Sequence, residues 1–324
     1  MSTRQPAPSA EGSEADWVLP KILVGTERLG SPVAFGRGTV LGRGTDRDAH
    51  AWLDEMFAAG ARGFDTAASY QMGGSERALG AWLASRGLRS EVFLVTKGGH
   101  PYPVVRPNRL GLADIENDLH DSLRRLNTER IDLYLLHRDH PDADLAGLAE
   151  AFERYRRQGK IAAWGVSNWH HDRILEFQRV ARSCGVAGPS ASSPQFSLAE
   201  WSTPPWKGCV SISGAAGRQA RDFYVRSGLP ILAWSALGRG VFSGSHEVQA
   251  SYANAANDAK RKRLFELAER RGVAPLALAL AYVTQQPFAV HPVVAVGSAR
   301  HFEANVAALD LQLGAHELLF LEQG

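Results

Sequence analysis

Cysteine is scarce in this chain: Cys184 and Cys209 are the only two in 324 residues. They are too few and too far apart for a disulfide framework or a cysteine metal site, and they suit a reducing cytoplasm. No stretch approaches the roughly 20 consecutive apolar residues of a membrane span. Residues 1–16 are rich in Pro, Ser, Ala and Glu and lack the apolar run of a signal peptide, so a disordered N-terminal tail is expected there. An excess of one charge is also missing. Lys and Arg number 36 against 34 Asp and Glu, a net charge of +2. The basic residues alternate with acids in "DSLRRLNTER" and "AFERYRRQGK", the pattern of solvated helix faces, so no nucleic-acid partner is expected. Finally, no GxGxxG follows the first strand, which argues against an open doubly wound dinucleotide-binding sheet.

What is present is an alternation of short β-branched or aromatic runs with longer helical periods, the pattern of a parallel sheet. Eight strands are expected at residues 32–39, 62–67, 92–97, 131–137, 161–167, 192–197, 230–236 and 290–296. Between them lie amphipathic helices. In "LADIENDLHDSLRRLN" the spacing of Leu112, Ile115, Leu119, Leu123 and Leu126 places them on one face. Eight such units predict an α/β fold of the (β/α)8 TIM-barrel type, a single domain over residues 17–324, with its active site at the carboxyl ends of the strands. Residues 198–229 break the pattern. Pro, Gly and Trp interrupt the helix expected there, and a helix resumes only in "GRQARDFYVRSG", leaving an insertion suited to capping the barrel mouth. Trp201 and Trp206 lie in it, either as a pocket wall or as anchors of the insertion.

Four strings end successive strands: "GFDTAASY", "FLVTKGG", "LYLLHRDHP" and "WGVSN". They place Asp65, Tyr70, Lys97 and His137 together at the mouth. Taken singly, each has an ordinary explanation as a helix cap, a rim aromatic, a solvated cation or an edge histidine. Jointly they supply what carbonyl reduction by hydride transfer requires. Tyr70 is the candidate general acid, with Lys97 expected to draw its pKa down from about 10. Asp65 would pair with Lys97, and His137, as a neutral donor, would orient the substrate oxygen. Two other functions compete: a cofactor-binding barrel with a regulatory or structural role and little turnover, and a lyase or isomerase using Lys97 as a Schiff base. No metal site is expected. The neighbouring His170 and His171 read as solvated residues at a helix start.

The same strings resemble the catalytic tetrad of the aldo-keto reductase superfamily, and the resemblance spans nearly all of residues 21–312. It implies an NADPH-dependent reductase of aldehydes or ketones. In "WGVSN" and "PQFSL" it implies that Ser167, Asn168 and Gln195 hold the nicotinamide carboxamide, a group needing both donors and acceptors. In "AWSALGRGVFSG" it implies that Trp234 stacks on the nicotinamide while Ser235, Leu237, Gly238 and Arg239 line the pyrophosphate. In "VGSARHFEANVAAL", Gly297, Ser298, Arg300 and Asn305 fall where the family holds the adenosine end, and a guanidinium at Arg300 suits a 2′-phosphate. Two departures stand out. The family's Glu-Asn pair reads Ala304-Asn305, and the tetrad histidine is followed by "RDHP" where many members carry Trp-Pro, so a different substrate wall is expected.

Overall fold

A computed structural model describes residues 17–30, 46–102, 106–243 and 250–323. The chain runs β1 (Leu23–Gly25), α1 (Asp46–Ala58), β2 (Gly63–Asp65), α2 (Gly74–Arg86), β3 (Phe93–Gly98), α3 (Leu112–Arg125), β4 (Ile131–Leu136), α4 (Leu145–Arg157), β5 (Ile161–Ser167) and α5 (His171–Ser183). It continues through β6 (Ser192–Ser193), α6 (Arg218–Ser227), β7 (Ile231–Trp234), α7 (Ala255–Arg271), α8 (Pro275–Thr284), β8 (Val290–Val294), α9 (Ala299–Ala308) and α10 (Ala315–Glu322). The eight strands close in sequence order into a parallel barrel, β1 pairing with both β2 and β8. This is the expected (β/α)8 fold.

Alternation along each strand sorts the side chains into two layers. Leu23, Val95, Leu133, Leu135, Ala163, Leu232 and Val293 fill the barrel interior, joined from the preceding segment by Leu19 and Trp17. Their neighbours Val24, Leu94, Tyr134, Leu136, Ala233 and Val294 face the helices. In that outer layer Trp164 stacks on Phe152, with ring centroids 4.8 Å apart, and meets Phe177 at 5.1 Å. The same alternation positions the site. Lys97 follows Val95 by two residues, His137 follows Leu135 and Trp234 follows Leu232, so each inward row of apolar side chains ends in a functional group at the carboxyl end.

Several expectations are corrected. The first barrel strand is Leu23–Gly25, not residues 32–39, which lie outside the described residues, as does the expected tail at 1–16. The sixth strand is two residues long because Pro194 follows it and has no N–H to continue the ladder. On α3, Ile115, Leu119 and Leu126 are fully buried, but Leu112 at the first helical position is 41% exposed. The resumed helix in the insertion is α6. No helix among the described residues is long and apolar enough to cross a membrane.

Candidate active site

Asp65 closes β2 and Lys97 lies near the end of β3, and both side chains are buried in the mouth. Lys97 Nζ donates to both Asp65 oxygens, at 2.8 and 2.7 Å, and to the Thr66 carbonyl at 2.9 Å. Beyond β2 the backbone stays beside β3, Thr66 N–H donating to Val95 O and Ala68 N–H to Lys97 O. That run delivers Tyr70 to a 3₁₀ turn at Tyr70–Gly73, with its hydroxyl 3.4 Å from Lys97 Nζ. His137, just past β4, is tied by its N–H to Gly98 O at 2.8 Å. Its ring meets the Tyr70 ring edge-on, centroids 5.9 Å apart. The structure thus brings all four residues together.

Burial dominates the electrostatics of the four. It pushes the Asp65 carboxyl up, against the opposing pull of Lys97. Burial alone would lower the Lys97 ammonium, but Asp65 and Tyr70 hold it above the usual lysine range. Tyr70 departs from expectation. Burial raises the phenol and the neighbouring Lys97 opposes that rise without cancelling it, so Tyr70 stays above a free tyrosine rather than below. The hydroxyl therefore keeps its proton at neutral pH. His137 is held well below the ordinary histidine value, first by burial and then by the charges of Arg138 and Lys97. Its imidazole is neutral. Ser69 Oγ lies 3.4 Å from Nδ1, within hydrogen-bonding reach of the ring.

Sequence reasoning missed the groups that hold this arrangement. Ser69 itself is one. A second is the buried Glu76 on α2, which accepts from Thr96 Oγ1 of β3 and from Arg125 Nε of α3, each at 2.6 Å. It clamps the strand carrying Lys97 to the helix that follows Tyr70. Ser75 adds to the clamp by bonding Thr26 and Thr66. A third is His100, whose ring stands edge-on to His137 with centroids 4.7 Å apart. Its loop is fixed by Gly99 N–H on Asp118 and by Arg109, which bonds both Asp118 and the His100 carbonyl. The clue to His100 in the sequence was its position three residues past Lys97.

The expected carboxamide residues also converge. Asn168 Nδ2 donates to Ser167 Oγ at 2.9 Å, and Ser167 Oγ donates to Ser193 O. Val210 joins Asn168 to Gln195, its N–H donating to Asn168 Oδ1 and its carbonyl accepting from Gln195 N–H. Gln195 is bridged to Trp234, and its amide engages Ser197, Ser211 and Ser213. Asn168 and Gln195 each use one of two amide N–H groups, so a donor is left on both for a ligand. Ser235, Gly238 and Arg239 all adopt positive φ in the turn after β7. At Gly238 an added Cβ would lie 2.8 Å from that of Ala199, so this close turn requires glycine. Leu237 lies between them in the same turn. Gly297 and Ser298 lead into α9, which carries Arg300, exposed, and Asn305, buried. They sit apart from the four, on the β8 side of the mouth.

The family model for the aldo/keto reductase family matches residues 21–322. The chain belongs to that family. It is 28% identical to norsolorinic acid reductase stcV of Emericella nidulans, over 94% of this chain and 82% of that protein. Among solved structures, an aldo-keto reductase from Klebsiella pneumoniae in complex with NADPH aligns with a TM-score of 0.69 and 26% identity, covering 94% of this chain and 90% of that one. A thermostable aldo-keto reductase bound to the inhibitor epalrestat has the same fold, with a TM-score of 0.73, 21% identity and coverage of 95% and 96%.

In this aldo/keto reductase the segment after β6 wraps the rim of the site. Trp206 is 45% exposed; its ring lies 6.4 Å from that of Trp234 and 4.6 Å from the Arg239 guanidinium. Trp201, more deeply set, meets Trp234 at 5.7 Å. Arg239 also reaches Glu27, at 3.7 Å, across the mouth. Arg138 curls back to donate to the His137 carbonyl at 2.8 Å and meets Cys209 Sγ of this same segment at 3.6 Å.

Proposed function

We propose that this protein reduces an aldehyde or ketone to an alcohol with NADPH, Tyr70 acting as general acid. One observation carries the reading: a buried ammonium, Lys97, lies between the carboxylate of Asp65 and the hydroxyl of Tyr70, beside a neutral imidazole, at the open end of a barrel. The four groups divide the work. His137 Nε2–H hydrogen-bonds the substrate oxygen and draws charge toward it. Tyr70 O–H, protonated at rest, gives its proton to that oxygen as negative charge develops. Lys97 stabilises the phenolate left behind, and Asp65 holds Lys97 against Tyr70 and offsets its charge in a buried site.

The described residues fit a nicotinamide cofactor. Trp234 offers a ring face and Asn168 and Gln195 each offer an unused amide N–H, so Ser167, Asn168 and Gln195 would hold the carboxamide. Ser235, Leu237, Gly238 and Arg239 would line the pyrophosphate, and Gly297, Ser298, Arg300 and Asn305 the adenosine end. When bound, the cofactor supplies the hydride. The exposed Arg300 provides a guanidinium for a 2′-phosphate, which favours NADPH over NADH. A cytoplasmic location accords with two unpaired cysteines.

The test is a panel of aldehydes and ketones with NADPH consumption followed by absorbance. Oxidation of the cofactor matched by alcohol formation is the expected result. Tight NADPH binding with no carbonyl consumed would sink the enzymatic reading and leave a cofactor-binding protein.

A further inference from the structure

We propose that Arg138 forms an anion subsite in the substrate pocket, so that the carbonyl compound reduced here bears a carboxylate. The inference rests on the reductase reading and specifies its substrate class. Arg138 follows His137 directly, at the end of β4 where the chain enters the mouth, and its side chain stays there, half-buried. Its two hydrogen bonds go to uncharged groups, the His137 carbonyl and the Cys209 thiol. No carboxylate lies within 4.0 Å of it among the described residues. Several other buried or half-buried arginines differ. Arg109, Arg125, Arg173 and Arg221 each meet a carboxylate oxygen at 2.6 or 2.7 Å.

The nearby acids are already committed. Asp139, the next residue, turns to Arg173 at 3.5 Å. Asp65 is taken by Lys97, and Glu27 faces Arg239. The pocket therefore holds two balanced pairs and one uncompensated guanidinium. That charge reaches the reacting groups, since Arg138 contributes to holding both His137 and His100 below the ordinary histidine range. A half-buried charge without a counter-ion is costly. Of its five N–H donors, two are directed at neutral acceptors, and the remainder suit the two oxygens of a carboxylate. The position is also apt chemically. Arg138 adjoins His137 and donates to its carbonyl, so a carboxylate held there would lie near the imidazole proposed to receive the substrate oxygen. His100, fixed edge-on to His137 by its loop, closes the wall beside them.

The experiment compares ω-oxo acids of increasing chain length with the primary amides of the same length. The quantity read is the ratio of kcat/KM values for acid and amide, in wild type, Arg138→Gln and Arg138→Lys. A charge-assisted contact predicts that the best-fitting acid exceeds its amide by about 10- to 150-fold in wild type. The ratio should collapse toward one in R138Q and be partly kept in R138K, whose ammonium retains the charge but not the fork. A wild-type ratio near one at every chain length, or an equal ratio in wild type and R138Q, would overturn the proposal. Because the wild-type ratio is itself decisive, poor folding of a variant does not shield it. If no carbonyl is reduced at all, the reductase reading fails, and calorimetric titration with dicarboxylates and the matching diamides decides the subsite separately. A carboxylate preference that R138Q abolishes upholds it, and equal affinities refute it.

Discussion

Replacing Asp65 with asparagine should cost more than removing the whole ion pair. Lys97 and Asp65 side chains are 4% and 5% exposed, and the ammonium donates to both carboxylate oxygens at 2.8 Å or less. In Asp65→Asn the ammonium keeps its bond to Thr66 O but loses its counter-charge in a site shielded from water. Breaking a buried pair on one side typically costs about 3–5 kcal/mol, whereas replacing both partners with apolar groups of similar size is often close to neutral. With an unfolding entropy of about 2.1 cal/mol/K per residue, that loss is a fall in Tm of roughly 4–7 °C for a chain of this length. The double variant Asp65→Leu/Lys97→Met should recover most of it. Calorimetric melting of the four proteins of the cycle (wild type, D65N, K97M and the double variant) checks the reasoning. Both double and single variants should be inactive, so the thermal data stand apart from turnover. If D65N melts within about a degree of wild type, or if the double variant loses the sum of the single losses, Lys97 is not a buried ammonium dependent on Asp65, and its role beside Tyr70 falls with it.

Four further outcomes are expected. Tyr70→Phe keeps the ring and NADPH binding but removes the proton donor, so the single-turnover rate should fall by about 10²- to 10⁴-fold; a rate within a few-fold of wild type would remove Tyr70 from the mechanism. Wild type should bind NADPH more tightly than NADH, and Arg300→Ala should erase most of a gap of roughly 10- to 150-fold; equal dissociation constants for the two cofactors in wild type would refute the assignment. Because burial lowers the folded-state pKa of His137, its neutral form contributes stability that is present above the ordinary value of 6.5 and is lost as pH falls below it toward the folded-state pKa. His137→Asn should therefore flatten the acid limb below pH 6.5 by up to about 1.4 kcal/mol per pH unit, read from urea midpoints across that range, and an unchanged slope would contradict a buried neutral imidazole. Trp206→Ala should raise KM for a bulky carbonyl with little change in Tm, since the ring is 45% exposed and touches the rim; a large fall in Tm with unaltered KM would make it a structural anchor.

Where the sequence was legible, the reason is periodic. Lys97 and His137 each stand two residues beyond an inward-facing apolar residue, Val95 and Leu135. An alternating pattern read from the chain therefore locates both the face and the end of the barrel on which they lie. Where it failed, the strand was held by partners rather than by its own residues. Leu23–Gly25 is three residues long and is fixed by β2 on one side and β8 on the other. Such a strand is too short to show a period, and the longer run at 32–39 drew the assignment instead. The sixth strand was overextended because "SSPQFS" reads as extended throughout. Pro194 ends the ladder, and Gln195 rejoins the sheet only as an isolated bridge to Trp234 and Ser211.

The site was less legible than the strands because its chemistry depends on depth. Residue types alone suggested that Lys97 would bring the Tyr70 phenol down toward neutral pH. Burial reverses the sign, and burial is a property of the closed barrel that no local string contains. The reversal changes what Lys97 is for. At rest the phenol holds its proton, so the ammonium does not create a phenolate in advance; in the proposed mechanism its charge would matter most once Tyr70 had given the proton away, leaving an anion 3.4 Å from Nζ in a site with little water to solvate it. Supporting groups such as Ser69 and Glu76 were invisible for a related reason. Each acts across elements that are distant in sequence, Ser69 on a histidine 68 residues away and Glu76 on an arginine 49 residues away. Only closure of the barrel turns a serine in "AASY" and a glutamate in "GGSE" into the parts that fix His137 and Lys97.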